Sequence, residues 1–454
     1  MEPTEKRKHI RNGILISLVA LGGVVWYNMT PDKAQLPLEA MQGQAPEVFE
    51  MRQENVPSIN IAKIIGWKAG EKPVAAKGLT VTEFAADLDH PRWVYQLPNG
   101  DVLVAEATSP SRPTKGVADR ITRAVMKKAN GSNVSANRIT LLRDADGDGK
   151  AEFRSVLLEG LNSPTGMALL RDMLFIGNTD GVRYYPYKTG DTKISDKGKL
   201  LMKLPAGTPN NHWARNIIID AKGENLYAAI GSHGNIGEGG DFEAYYKNKP
   251  ERALIRYYNF KRQEQGIYAY GLRNPNGLAF NPQSGTLWTT VNERDMLGSD
   301  GPADYMTTVD FGTFYGWPFY FWGGIQDPRV QQGRPDLRQY TKRPDYALGP
   351  HVAALGLDFA RGPQLGDAWA RGAFVAMHGS WNRSPASGYK VVYIPFNDRG
   401  FPEDKVKPVD VLTGFLTDKG DARGRPAGLI VDKSGALLVA DDAGNRIWRV
   451  AKGG

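Results

Sequence analysis

His90-Pro91-Arg92-Trp93-Val94-Tyr95-Gln96-Leu97-Pro98-Asn99-Gly100-Asp101-Val102-Leu103-Val104-Ala105 is the stretch that decides the fold. It reads as a turn, an apolar strand, a polar glycine turn and a second apolar strand. The unit returns as Ser163-Pro164-Thr165-Gly166-Met167-Ala168-Leu169 with Met173-Leu174-Phe175-Ile176-Gly177. It returns again as Arg215-Asn216-Ile217-Ile218-Ile219-Asp220 with Asn225-Leu226-Tyr227-Ala228-Ala229-Ile230-Gly231. A fourth copy is Asn274-Pro275-Asn276-Gly277-Leu278-Ala279-Phe280 with Thr286-Leu287-Trp288-Thr289-Thr290. Leu355-Gly356-Leu357-Asp358-Phe359 with Gly372-Ala373-Phe374-Val375-Ala376 is a weaker fifth. The sixth is Arg425-Pro426-Ala427-Gly428-Leu429-Ile430-Val431-Asp432 with Ala436-Leu437-Leu438-Val439-Ala440-Asp441.

The matched positions are Trp93, Gly166, Asn216, Gly277, Gly356 and Gly428. Each interval has room for about four strands and an insertion, the content of a propeller blade. A helical solenoid would need apolar stripes at helical spacing, and these runs are short and bounded by Gly, Pro and Asn. The expectation is an all-β fold, a six-bladed β-propeller over residues 78–454.

Composition agrees. The 454 residues exceed one ordinary compact core. With 41% hydrophobic and 23% charged residues the chain should fold, and 52 Gly and 29 Pro point to many turns. The absence of cysteine excludes disulfides, thiol nucleophiles, zinc–cysteine sites, iron–sulfur clusters and covalently attached haem, so redox chemistry needs a bound organic cofactor. The net charge of +8 is spread along the chain, apart from a patch at Arg120, Arg123, Lys127 and Lys128. No nucleic-acid motif accompanies it, and no nucleic-acid partner is expected.

The N-terminus carries an address. Lys6-Arg7-Lys8-His9-Ile10-Arg11 precedes an uncharged apolar run from Gly13 to Tyr27. The positive flank stays cytoplasmic and the run enters the membrane. Tyr27-Asn28-Met29-Thr30 makes a poor cleavage site. Residues 1–30 are therefore expected to be a signal peptide or an uncleaved anchor in the inner membrane, residues 31–77 a tether, and the propeller periplasmic. A basic stretch from Lys115 to Ala129 reads as a helical, solvated insertion.

In a propeller the loops entering each innermost strand converge on one mouth of the central channel. The residues there are His90 and Arg92, Asn162, His212 and Arg215, Arg273 and Asn274, His351, and Arg423 and Arg425. Loops leaving the second strands add Glu106, His233, Glu293, Arg294, Asp295, His378, Arg383, Asp441 and Asp442. Several cations aimed at one axis repel, and an anionic ligand held by arginines would relieve that cost. The alternative is that such loop tips are simply solvated, and the convergence of several argues against it. No two histidines stand at metal-pair spacing, so no zinc centre is expected. His212, within Pro209-Asn210-Asn211-His212-Trp213-Ala214-Arg215, is the best general-base candidate.

Three further motifs carry less. Gly231-Ser232-His233-Gly234-Asn235-Ile236-Gly237 follows a strand but opens no helix, a poor dinucleotide or nucleophile signature. Asp144 to Glu152 has the carboxylate spacing that starts a calcium loop, but the twelfth position is Ser155, and the incomplete match favours a hairpin turn over an ion site. Phe314-Tyr315-Gly316-Trp317-Pro318-Phe319-Tyr320-Phe321-Trp322 could stack a sugar or quinone face, or pack in the core or rim.

Tyr270-Gly271-Leu272-Arg273-Asn274-Pro275-Asn276-Gly277-Leu278-Ala279-Phe280, with Asn210-Asn211-His212 upstream and Phe314-Tyr315-Gly316-Trp317-Pro318 downstream, resembles the glucose/sorbosone dehydrogenase family. The likeness runs over residues 78–452 in the same order. His378-Gly379-Ser380-Trp381-Asn382-Arg383 and Asp441-Asp442-Ala443-Gly444-Asn445-Arg446 are more similar to the L-sorbosone branch than to the soluble glucose branch.

The resemblance implies a six-bladed propeller that uses pyrroloquinoline quinone (PQQ) and calcium to oxidise a sugar or sugar-derived aldehyde. It implies His212 as the base that takes the proton from a sugar hydroxyl while hydride passes to the quinone. Arg273 is implied as the stabiliser of the developing oxyanion, with calcium polarising the same carbonyl. Arg92, Arg215, Arg273, Asn274, His378, Arg383 and Arg425 are the implied cofactor contacts, and the quinone's three carboxylates suit such an arginine set. Calcium is implied on main-chain carbonyls near Glu293, at Arg294 and Asp295. Electrons would leave to membrane quinone or a separate carrier. The soluble glucose branch places an acidic partner after the third-blade strand, where this chain has Ser232-His233. Glu238, Asp241 and Glu106 are candidates to orient His212 instead. Two other classes remain open: a calcium-dependent sugar lactonase, and a ligand-binding propeller without catalysis.

Overall fold

The computed structural model describes residues 31–48, 51, 54, 58–110, 134–330 and 333–453. The expected signal or anchor segment and the basic stretch at 115–129 lie outside the described residues. Among the described residues no helix is long and apolar enough to cross a membrane.

Six antiparallel sheets of four or five strands follow one another around an axis. Blade 1 is Pro91–Gln96, Val102–Glu106, Arg138–Arg143 and Phe153–Leu158. Blade 2 is Met167–Leu170, Met173–Asn178, Gly181–Pro186 and Lys199–Lys203. Blade 3 is Ile217–Ile219, Asn225–Ile230, Leu254–Asn259 and Glu264–Tyr270. Blade 4 is Pro275–Phe280, Leu287–Val291, Ala303–Thr308 and Tyr346–Pro350. Blade 5 is Ala354–Phe359, Gly372–Met377, Lys390–Pro395 and Val409–Thr413, extended by Val74–Ala75. Blade 6 is Pro426–Val431, Leu437–Asp441 and Arg446–Lys452, and its outer strand is Leu79–Ala85. The ring is thus closed by pairing the chain's early strand with its last, which supplies the outer strand of that sheet.

The repeat glycines have a common cause. A Cβ on Gly277 would lie 2.6 Å from Leu355 O, one on Gly356 2.6 Å from Ala427 O, and one on Gly428 2.8 Å from Trp93 Cα. Each contact is with the innermost strand of the next blade, and the last joins blade 6 to blade 1. Glycine is required because these strands approach too closely around the axis for a side chain. In blade 3 the matching residue is Asn216, whose amide donates to Asn276 O of blade 4 at 3.0 Å. The apolar cores lie between blades, where Trp288 meets Phe359 and Phe396, and Phe374 and Trp448 share another cluster.

Parts of the segment expected to be a tether are laid against the propeller. Ala34 N–H donates to Ser384 O at 2.7 Å, and Gly43 and Ala347 exchange two backbone bonds of 2.9 Å. The Trp67 indole donates to Asp441 at 2.7 Å. Sparse anchors such as Met41, Ala62 and Trp67 suffice to dock a chain whose composition is otherwise polar.

Candidate active site

The loops before the first strands and after the second strands do share one end of the propeller, and the loop Gly231–Asn235 organises it. A Cβ on Gly231 would strike both the Asn274 amide oxygen and, at 2.5 Å, His212 Cβ. Glycine at 231 is what lets those two side chains meet there.

Ser232 comes next. His212 Nδ1 lies 2.9 Å from the Ser232 carbonyl oxygen and 2.9 Å from its hydroxyl oxygen. The hydroxyl already donates to Gly234 O at 2.7 Å. Both oxygens therefore act as acceptors, and the imidazole proton sits on Nδ1. Nε2 is left as the basic nitrogen, with no partner among the described residues and access to solvent. Desolvation first, and then the Arg273 charge, pull the His212 pKa down to about 3. The ring is neutral at ordinary pH. None of Glu106, Glu238 and Asp241 orients it: Glu106 is buried against Arg138 and Thr140, Glu238 caps the amides of Ile236 and Gly237, and Asp241 holds His233.

Asn235 fixes the opposite wall. Its amide oxygen accepts from Arg273 and from Asp295 N–H, each at 2.9 Å, while its amide nitrogen donates to Asp295 O at 2.9 Å. Arg273 is buried and also donates to Asn235 O, Asn292 O, Glu293 O and, at 3.1 Å, the Asp295 carboxylate. The other Asp295 oxygen faces His351 Nδ1 at 3.5 Å, and His351 Nε2 donates to Gly298 O at 2.9 Å. Burial alone would raise the Asp295 pKa, but His351, Arg273 and His212 outweigh it and hold it low. Beside it, burial pushes Glu293 up to about 7 and Asp304 to about 6.

Arg92, His378, Asp442 and Arg425 form a second cluster. Arg92 pairs with Asp442, His378 Nε2 donates to the same carboxylate at 2.9 Å, and Arg425 donates to His378 O and Gly379 O. The Arg92 guanidinium lies 5.8 Å from the ring centroid of Trp213, which joins this cluster to the residue after His212.

The other expected contacts are turned elsewhere. Arg215 is fully buried and gives its donors to His212 O, Ala214 O and Pro205 O; Arg252 braces Pro205 O and Asn210 Oδ1 from the other side. Both arginines hold the His212 loop in shape. Arg383 donates to Ser299 O and Pro385 O and faces Asp300, in a cluster that docks residues 32–36. The Arg294 guanidinium is paired with Asp327. The expected cationic surplus is therefore matched largely inside the protein, by Asp295, Asp442, Asp327 and Asp300, because the sequence order of the loops does not show which carboxylates fold against which arginines.

Two motifs fall outside the mouth. Phe314, Tyr315, Trp317, Phe319, Tyr320 and Phe321 are buried; Phe314, Trp317, Phe319 and Tyr320 pack around Tyr245, and the Trp317 indole supports the site from below by donating to Asn235 O. Asp144, Asp146, Asp148 and Glu152 sit on the hairpin between the outer strands of blade 1, at the opposite end, where they accept the loop's own amides. Sequence reading met Ser232 and Asn235 in the Gly231–Gly237 run but gave them no role; the signal was a run of glycines and short polar residues at the mouth end of a blade strand.

Residues 122–377 match the family described as a domain of unknown function, DUF7133, and residues 333–453 match one described as TrAA12-like. An uncharacterized protein of Borreliella burgdorferi is 29% identical over 302 residues, covering 64% of this chain and 76% of that protein. The PQQ-dependent pyranose dehydrogenase of Coprinopsis cinerea is 28% identical over 299 residues, covering 53% of this chain and 40% of that protein. The holo form of the pyranose dehydrogenase PQQ domain from Coprinopsis cinerea superposes with a TM-score of 0.66 at 20% identity, covering 86% of this chain and 100% of that one. At that identity the structural likeness shows the six-bladed fold.

Proposed function

The chain belongs to the DUF7133 family, whose description carries no function, and from the mouth itself we propose that it is a PQQ- and calcium-dependent dehydrogenase acting on a sugar or sugar-derived aldehyde. The observation that carries this reading is a neutral His212 with its Nδ1 proton held by Ser232 and its Nε2 open, across from a fixed Arg273. The curated pyranose dehydrogenase relative points the same way.

The residues present suit such a cofactor. The Asn274 side chain, close to His212, has no partner among the described residues. Arg92, Arg273 and Arg425 stand at the mouth, the first two already paired with Asp442 and Asp295, and the carbonyl oxygen of Arg294, next to the Asp295 carboxylate, accepts no hydrogen bond from the described residues, whereas those of Glu293 and Asp295 do. These residues would hold PQQ and calcium, which supply a two-electron acceptor and a Lewis acid.

The chain's own part follows from its geometry. His212 Nε2 takes the proton of the substrate hydroxyl, and the Ser232 carbonyl keeps the other proton at Nδ1, so the ring offers its lone pair in one direction. Arg273 supplies fixed positive charge where negative charge develops, without reorganising, because Asn235, Glu293 and Asp295 already hold it. The sorbosone-type substrate rests on the motifs around His378 and Asp441. The basic flank Lys6 to Arg11 before the apolar run Gly13 to Tyr27 supports residues 1–30 as an inner-membrane anchor with the propeller in the periplasm, or as a cleaved signal with the protein secreted, and electrons would pass to membrane quinone or a soluble carrier.

The test is to titrate the full chain with PQQ and calcium, following tryptophan quenching, and to measure dye reduction with aldoses, sorbosone and simple aldehydes. Saturable binding with turnover that His212→Ala abolishes is the expected result. A folded chain that binds no quinone overturns the reading and leaves a ligand-binding propeller.

A further inference from the structure

We propose that His233, held by Asp241, is a second substrate-contacting histidine of the mouth, whose Nε2 hydrogen-bonds a sugar hydroxyl away from the carbon that reacts at His212. The inference rests on reading the protein as a sugar oxidoreductase and names a specificity residue for that site.

Asp241 is a buried carboxylate devoted to one residue. Its Oδ1 lies 2.6 Å from His233 Nδ1 and its Oδ2 accepts the His233 backbone N–H at 2.6 Å. Main chain and ring are thereby fixed together, and the Nδ1 proton is directed at the carboxylate. Nε2 has no partner among the described residues and reaches solvent. A histidine with a purely structural role meets protein on both nitrogens, as His351 does with Asp295 and Gly298. His212 and His233 share the other pattern, one nitrogen anchored and one open.

The chain around the ring is shaped to it. Gly239 has φ +73°, and a Cβ there would lie 2.9 Å from His233 Cβ and 3.0 Å from Pro209 Cδ. The ring is thus lodged beside the loop that carries His212. His233 O accepts Asn211 N–H at 3.0 Å, and the preceding Ser232 accepts from His212. Backbone bonds thus tie the His233 segment to the loop of His212, which places His233 beside the site where His212 acts. An acceptor held this rigidly favours one hydroxyl orientation over its epimer, because the wrong epimer leaves a polar group unpaired.

The experiment uses the full chain loaded with PQQ and calcium, and aldoses that differ at a single hydroxyl. In His233→Gln, KM for the preferred sugar should rise about 10-fold while kcat falls no more than about threefold, and discrimination between epimers should shrink by a similar factor. Asp241→Asn, which keeps the ring but loosens it, should raise KM by a smaller factor. Calorimetry of the same aldoses into His212→Ala, with and without His233→Gln, reads binding without turnover and should show Kd weakened about 10-fold. Unchanged KM and Kd in His233→Gln, with an active parent, overturn this inference and leave the function standing. A lowered kcat at unchanged KM also overturns it, placing His233 at the reacting atoms. A parent that neither binds nor oxidises any aldose overturns the function and this inference together.

Discussion

His212 Nδ1 stands 2.9 Å from both oxygens of Ser232, and the carboxylates considered for that role, Glu106, Glu238 and Asp241, are each bound elsewhere. A neutral carbonyl and hydroxyl thus do the orienting that a carboxylate would do elsewhere. They fix the tautomer without adding charge, which leaves the imidazole a weaker base than a carboxylate-backed one. Ser232→Ala keeps the carbonyl acceptor and removes the hydroxyl. The expected result is a kcat about 10-fold lower with KM little changed, against abolition in His212→Ala. Equal losses in the two variants, measured in steady state on folded protein, would show that the hydroxyl does more than orient.

Asp442 serves both Arg92 and His378. The carboxylate is buried and ionised, held strongly low by the charges and hydrogen bonds around it despite the cost of burial. Asp442→Asn leaves Arg92 without its counter-charge and should cost about 3 kcal/mol of stability, read from urea unfolding of the chain without cofactor. Added PQQ should restore part of that loss, because an anion at Arg92 replaces the missing carboxylate. A loss that added PQQ leaves untouched would argue that Arg92 has no part in holding the cofactor.

Acid stability carries a signature of the mouth histidines. Burial, and then the charges of Arg273 and Arg425 respectively, bring His212 and His378 down to about 3. In the unfolded chain they protonate near about pH 6.5. Between those values the unfolded chain binds more protons, so folding weakens as pH falls, by about 1.4 kcal/mol per pH unit for each ring. Glu293 and Asp304 act in the opposite sense: their raised pKa values favour the protonated fold, and that stability is lost as pH rises through about 6 to 7. His378→Gln should therefore flatten the acid limb between about pH 4 and 6 by one proton's worth. Unfolding free energies with the same slope as wild type would mean that His378 is already charged in the fold.

The blades were legible because their cause is local and repeated: Gly277, Gly356 and Gly428 each stand where a neighbouring inner strand leaves no room for a Cβ. The placement of His212 and Arg273 at one mouth followed from that periodicity. What could not be read was the pairing of charges across blades. Arg383 and Asp300 are far apart in the chain, as are Arg294 and Asp327, and nothing in either loop specifies the partner. Ser232 and Asn235 were hidden for a related reason, since short polar side chains acquire a role only from the backbone they are folded against.

Trp67 shows how far the polar N-terminal stretch is part of the fold. Its indole donates to Asp441 at 2.7 Å and stacks edge-on with Phe415 and Trp448. Asp441 is a buried carboxylate that also accepts from Arg425 N–H at 2.7 Å, Gly444 N–H at 2.8 Å and the Trp448 indole at 3.1 Å. Burial, the largest influence, raises its pKa against these four donors. Removing one donor while keeping the aromatic ring, in Trp67→Phe, should cost about 1 to 2 kcal/mol. Because Asp441 also fixes the backbone of Arg425, the same variant should weaken PQQ binding several-fold. Unfolding and quinone titration on one preparation check both effects. A destabilised chain with unaltered quinone affinity would confine Trp67 to holding the N-terminal stretch, and would detach Arg425 from the cofactor.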